Sequence, residues 1–279
     1  MTDGIAQVHD GHRTLFKWHR GRKHGTDLSF TGARILEGMR LGASVEVDLR
    51  RHADGGFAVL HDRTLDKSTT GRGPVVAQGA AALRELYLRD AGGQPTAHKV
   101  MLLEDLAGLI AAGEGISDSA ILQLDLKESA DGIDARAIAS FEEQLGPVAR
   151  HFILSGGDAA AVEALAAPLP DLAVGYDPCE GDDFDNLMNS VDFAGFTERA
   201  VRRVPRAKMA YLEYGLVLAA ADAGFDIIAA FHAAGRTIDA YTIRSADGDG
   251  IGIAKRLIAL KVDQITTDDP VGLDLALRA

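Results

Sequence analysis

Short apolar runs rich in β-branched residues and leucine alternate along this chain with longer alanine- and leucine-rich segments of helical periodicity. The runs predict strands over 15–19, 44–49, 120–126, 151–154, 172–175, 191–196, 237–243 and 262–267. Helices are expected over 32–41, 102–112, 133–145, 159–166 and 252–260, and 206–234 reads as two helical segments broken near Gly224. Parallel strands joined by helical crossovers, eight times over, predict a closed α/β barrel, and 279 residues is an ordinary length for one. No linker, low-complexity tract or long repeat interrupts the pattern, so residues 1–279 read as a single domain. One interval breaks the rhythm. Residues 64–99 hold Thr69-Thr70-Gly71-Arg72-Gly73-Pro74, a short alanine-rich helix over 80–87 and Gly92-Gly93-Gln94-Pro95. That is too long for a simple connection between strand and helix, and it reads as an insertion at the rim of the barrel.

Three of the apolar runs carry paired ionisable groups. Val45-Glu46-Val47-Asp48-Leu49 places two carboxylates on one face of a strand, because side chains two apart point the same way. Leu124-Asp125-Leu126-Lys127 repeats the arrangement with an acid and a base, and Trp18-His19-Arg20-Gly21 sets a histidine beside an arginine. Val59-Leu60-His61-Asp62 ends a fourth apolar run on a second histidine. Carboxylates this close repel each other and lose hydration, so they require a compensating cation. Glu46, Asp48 and Asp125 form an all-oxygen set suited to a hard dication such as Mg²⁺ or Ca²⁺. The competing reading pairs Glu46 and Asp48 with Arg50, Arg51 or a nearby lysine. In an α/β barrel the carboxyl ends of the strands carry the chemistry, and His19, Asp48, His61 and Lys127 all fall at or just past such ends.

His19 and His61 are candidates for general acid and base, since imidazole titrates near neutral pH. Arg20 can bind a phosphate in bidentate fashion, although its neighbours Arg13, Lys17, Arg22 and Lys23 also suit an ordinary basic surface. His9, His12, His24 and His52 lack such settings and read as solvated. Glu180-Gly181-Asp182-Asp183-Phe184-Asp185 lacks the closing glutamate of a calcium loop and is expected to be a flexible acidic loop. No dinucleotide fingerprint, phosphate-binding P-loop or nucleophile elbow occurs.

Acidic residues outnumber Lys and Arg by 41 to 29, giving a net charge of −12, which argues against nucleic acid or an anionic membrane as partner. No apolar stretch has the length to span a bilayer. A single cysteine, Cys179, and the absence of a visible secretory signal make a cytoplasmic enzyme the expectation, and a homo-oligomer stays open.

In order, His19-Arg20-Gly21, Glu46-Val47-Asp48, Asp54-Gly55, Leu60-His61-Asp62, Thr69-Thr70-Gly71-Arg72-Gly73, Leu103-Glu104-Asp105-Leu106, Asp125-Leu126-Lys127, Tyr241-Thr242 and Thr267-Asp268-Asp269-Pro270 resemble the glycerophosphodiester phosphodiesterase family. The likeness spans 19–270 and is densest in the first half. It implies a TIM-type (β/α)8 barrel with a small subdomain inserted after the second strand. It also implies a divalent cation on Glu46, Asp48 and Asp125, His19 and His61 as the acid/base pair, and Arg20 with Lys127 on the phosphodiester. The small-molecule substrates so implied are glycerophosphodiesters, cleaved to glycerol 3-phosphate and an alcohol. The chain departs from the family pattern in three places. Asp27-Leu28-Ser29-Phe30-Thr31 stands where Pro-Glu-Asn-Thr is usual, Asp125 replaces a glutamate, and Tyr241 a tryptophan. Two rival readings are a phospholipase D-like enzyme releasing a cyclic phosphate and a non-catalytic barrel that binds a phosphorylated ligand.

Overall fold

The computed structural model describes residues 3–180 and 182–279. Eight parallel strands form its centre: β1 (His12–Trp18), β2 (Ser44–Arg51), β3 (Ile121–Leu126), β4 (Phe152–Gly156), β5 (Ala173–Tyr176), β6 (Met209–Glu213), β7 (Thr237–Ile243) and β8 (Gln264–Thr267). Each pairs with its sequence neighbours, and β8 pairs back onto β1 (Gln264 opposite Leu15, Thr267 opposite Trp18), so the sheet closes into the expected TIM-type barrel. Two antiparallel strands extend it. Ala6–His9 folds onto β1 through Asp10-Gly11, whose φ values of 46° and 76° suit a tight hairpin, and Phe57–Val59 lies against the end of β2. Residues 64–99 hold the short helix Ala80–Arg84 and a hairpin of Tyr87–Arg89 with Pro95–Lys99. Among the described residues no single helix is long and apolar enough to cross a membrane.

Alternation along the strands sorts the chemistry. Val45, Val47, Leu122 and Leu124 point outward and pack with Ile35, Met39, Leu106 and Ile110 of the surrounding helices, and Phe16, Leu212, Ile238 and Ile265 do the same on the other half. The inward positions are polar. Lys17, 1% exposed, pairs with Asp239 at 3.0 Å and donates to Gln123, while Gln264 and Thr266 donate to Asp239 at 2.5 and 2.6 Å. Each of these contacts comes from another strand, which lets a polar network hold in so dry a place, although Gln264 Oε1 is left without a hydrogen bond. Gly175 leaves room for the Tyr211 ring, since a Cβ there would meet its Cε2 at 2.4 Å. Six outer helices begin on an aspartate whose carboxylate accepts a first-turn amide: Asp134, Asp158, Asp192, Asp226, Asp247 and Asp269. Part of the acidic surplus is thus structural.

Seven of the eight expected strands stand close to their expected places, and the sixth does not. Residues 191–196 begin the helix Phe193–Arg203, capped by Asp192 and buried through Phe193, Phe196, Thr197 and Ala200, a helical spacing that the short alternation of Val191-Asp192-Phe193 masked. The sixth strand is Met209–Glu213, followed by helices Tyr214–Asp222 and Ile227–Ala233, all within the stretch read as two helices. The acidic segment after Glu180 also differs from expectation, forming the helix Asp182–Ser190, with Gly181 outside the described residues.

Candidate active site

The carboxyl ends of the strands surround a cavity of about 190 Å³ lined by polar side chains. Glu46 and Asp48 project into it from β2 and are 3% and 1% exposed. Asp125 of β3 sits in register beside Asp48, and one carboxylate oxygen from each of the three lies within 4.8 Å of the others. Burial, then the charges of Asp48 and Asp125, push Glu46 up to about 8. Glu46 Oε1 and Asp48 Oδ2 are buried without a hydrogen bond. Asp48 Oδ2 has an ion-pair partner in Arg20, whereas Glu46 Oε1 has none, and an unpartnered carboxylate oxygen in a three-acid, sulfur-free set fits a hard dication.

His19 lies on a single 3-10 turn, His19–Gly21, immediately after β1 rather than in the strand. Arg20 within it takes the left-handed conformation (φ 56°, ψ 30°), which aims its backbone N–H at Glu46 Oε2, 2.8 Å away. The His19 ring contacts Asp268 through Nδ1 and stands 3.8 Å from Glu46 through Nε2. Burial lowers its pKa and outweighs the opposing pull of Asp268. Asp268 also accepts from Arg22, and these two partners hold its carboxyl below the usual range against the effect of burial.

The two cations face the carboxylates directly. Arg20 Nε lies 3.3 Å from Asp48, and Lys127 Nζ lies 2.5 Å from Asp125 and 3.5 Å from Asp48. Burial works to lower the Lys127 ammonium, yet the Asp125 and Asp48 charges prevail and raise it. Of the competing reading, the lysine part holds for Asp48, which Lys127 reaches, while neither Glu46 nor Asp48 pairs with Arg50 or Arg51 among the described residues. Arg50 instead donates to the carbonyls of His61 (2.8 Å) and Lys127, linking two rim residues from different segments. His61 is the most open of the predicted set, 38% exposed, with Nδ1 2.9 Å from Asp62.

All seven predicted site residues therefore line one cavity, together with groups that sequence reasoning missed. Asp268 follows β8 just as His19 follows β1, so its position past a strand end was the available signal. Lys17, read as part of a basic surface, is buried in the barrel, and His52, read as solvated, is 3% exposed. His12 is half-buried on the Val262 carbonyl at 3.1 Å. Asp27, in the divergent segment, accepts amides of Lys23 and His24 and pairs with Arg34, a structural duty away from the cavity. Across the mouth from the metal-suited acids lie Asp177, Glu180, Tyr211 and Tyr241. Burial pushes Asp177 up to about 7, against the hydrogen bond from Tyr241.

Buried carboxylates, two cations and two imidazoles at the mouth of a parallel barrel define a phosphate-handling hydrolase of the TIM-barrel class. The family model described as the glycerophosphoryl diester phosphodiesterase family matches residues 19–271. The chain belongs to that family and is a phosphoric diester hydrolase acting on glycerophosphodiesters. Solved structures agree in fold. A glycerophosphodiester phosphodiesterase from Thermotoga maritima is 21% identical, with a TM-score of 0.65, covering 98% of this chain and 100% of that one. One from Agrobacterium tumefaciens is 21% identical, with a TM-score of 0.64 and coverage of 93% and 99%. An Oleispira antarctica phosphodiesterase, solved with its product sn-glycerol-3-phosphate, is 20% identical, with a TM-score of 0.66 and coverage of 95% and 96%. A search of curated proteins gives no match.

Proposed function

We propose that this chain hydrolyses glycerophosphodiesters to glycerol 3-phosphate and an alcohol, using one divalent cation, Mg²⁺ or Ca²⁺, on Glu46, Asp48 and Asp125. The observation that carries this reading is the convergence of those three acids within 4.8 Å, with Glu46 Oε1 buried and unpartnered, in a chain of this family. When bound, the cation supplies neutralisation of the phosphate and stabilisation of charge growing on it. Arg20 and Lys127 sit where their donors can turn from Asp48 and Asp125 to the nonbridging oxygens of an incoming diester. His19 gives Nδ1 to Asp268, which fixes the ring and leaves Nε2, on the cavity side, to take the proton of the attacking hydroxyl. His61, on the open rim and held by Asp62, then delivers a proton to the departing alkoxide. The same reading takes residues 1–279 as one catalytic domain, with 64–99 as an inserted subdomain, and the protein as cytoplasmic.

The test is a metal-by-substrate screen on chelator-stripped protein, with phosphorus NMR identifying the product. Activity should return with Mg²⁺ or Ca²⁺ and yield glycerol 3-phosphate. His19→Ala and His61→Ala should each lose about 10²–10⁴-fold in kcat while remaining folded. Near-wild-type rates for both variants would sink the acid/base assignment. A cyclic phosphate as final product would establish the phospholipase D-like chemistry instead.

A further inference from the structure

Five carboxylates line the cavity, and they are not treated alike. Glu46, Asp48 and Asp125 each face a cation or imidazole: His19, Arg20 or Lys127. Asp177 and Glu180, on the β5 side, make no ion pair among the described residues, and the further cation of the lining, Arg244, is exposed at the rim. Asp177 accepts the Cys179 amide at 2.8 Å and a hydrogen bond from Tyr241, both neutral donors. The exposed Glu180 carboxylate packs against Gly157 in the turn after β4, where a Cβ would come within 2.1 Å of its Oε2. Tyr211, 2% exposed and flanked by Asp239, Asp125, Glu46 and Asp177, brings to the same cavity a hydroxyl that is buried without a hydrogen bond. A buried phenol left unpaired is unfavourable until something meets it.

We propose that this half of the mouth is a subsite for the departing alcohol and selects one that bears a primary ammonium group. The inference rests on the phosphodiesterase reading, which places the phosphate against Arg20 and Lys127 on the opposite wall. A glycerophosphodiester so placed points its alcohol across the cavity toward Asp177, Glu180 and Tyr211. A primary ammonium offers three N–H donors to two carboxylates and one phenol oxygen, a one-to-one match. A trimethylammonium carries the same charge with no donor and a greater bulk, in a cavity of only about 190 Å³ whose acceptors need hydrogen bonds. A neutral polyol supplies donors but no charge to offset Asp177, while the exposed Glu180 stays with solvent. The expected order is therefore ethanolamine above choline above glycerol as the alcohol.

The experiment compares glycerophosphoethanolamine, glycerophosphocholine and glycerophosphoglycerol in two ways on metal-loaded protein. Calorimetry measures binding, and phosphorus NMR measures kcat/KM. Losing one charge-assisted hydrogen bond is worth about tenfold or more. The ethanolamine diester should thus exceed each of the others by at least about tenfold, and Glu180→Gln and Tyr211→Phe should each shrink that ratio rather than scale all three substrates together. Equal kcat/KM for the three diesters, or a ratio unmoved in both variants, overturns the subsite. Preferential binding of the ethanolamine diester with no turnover of any diester supports the subsite and defeats the hydrolase reading instead.

Discussion

Replacing Glu46 with glutamine should stabilise the metal-free protein while removing its response to divalent cations. Glu46 is 3% exposed, and burial together with Asp48 and Asp125 pushes it from an ordinary 4.5 up to about 8. In the unfolded chain it titrates at its ordinary value. Between about pH 4.5 and 8 the unfolded chain has released this proton and the folded one keeps it, so stability falls as pH rises. The loss starts near the unfolded pKa and is complete above the folded one. At pH 7 the gap is about 2.5 pH units, or roughly 3 kcal/mol at about 1.4 kcal/mol per unit. A chain of 279 residues unfolds with an entropy of about 0.6 kcal/mol/K, so Glu46→Gln should raise the melting temperature in chelator by about 5 °C at pH 7. The gain should shrink toward zero near pH 4.5 and grow above pH 7. Scanning calorimetry of both proteins in EDTA from pH 5 to 9 measures it. Adding Mg²⁺ or Ca²⁺ should stabilise the wild type and leave the variant unmoved. A wild-type melting point that holds or rises relative to the variant across that range would refute the reasoning, because the three acids would then not be held in mutual repulsion.

Two further perturbations probe the parts around that triad. Asp268→Asn keeps the shape but weakens the hold on His19 and Arg22, and should cost about 10–100-fold in kcat, with the pH profile of kcat displaced and KM for glycerophosphodiester little changed; an unchanged profile would free Asp268 of any positioning role. Lys17→Met strands Asp239 inside the barrel, where both partners are at most 2% exposed, and should cost about 3–5 kcal/mol. That corresponds to a melting point lower by about 5–8 °C, and a drop under about 1 °C would show that Gln264 and Thr266 alone satisfy Asp239.

How far such a site could be read from the sequence depends on range. Pairs such as Glu46 with Asp48 and Asp125 with Lys127 were legible because strand alternation is local and fixes a shared face without any knowledge of the fold. The neighbouring placement of β2 and β3, needed to join those pairs, followed from the barrel. Lys17 was not legible. A lysine among Arg13, Arg22 and Lys23 carries no mark of burial, and its partners Gln123 and Asp239 lie 106 and more than two hundred residues away. The same distance hid the tie of Asp268 to His19. The sixth strand failed for the opposite reason, since Met209-Ala210-Tyr211-Leu212 has too little β-branching to stand out beside an alanine-rich helix.

Counting charge through the cavity shows why its parts belong together. Counted by ion pairs, with Arg244 exposed at the rim in none of them, Glu46, Asp48, Asp125 and Asp239 set four negative charges against Lys17, Lys127 and Arg20, one short of balance. Burial, then the charges of Asp48 and Asp125, favour a proton on Glu46, and that proton also closes the deficit. A dication replaces that proton and leaves this half of the site at plus one, and a phosphodiester monoanion then restores neutrality. Asp177 and Glu180 lie outside that balance. A neutral alcohol would leave Glu180 and a partly protonated Asp177 as they are beside a phosphate already satisfied, whereas an ammonium offsets negative charge there at the moment the diester seats. The unpaired acids on the β5 side therefore argue that the substrate itself is expected to carry a positive charge.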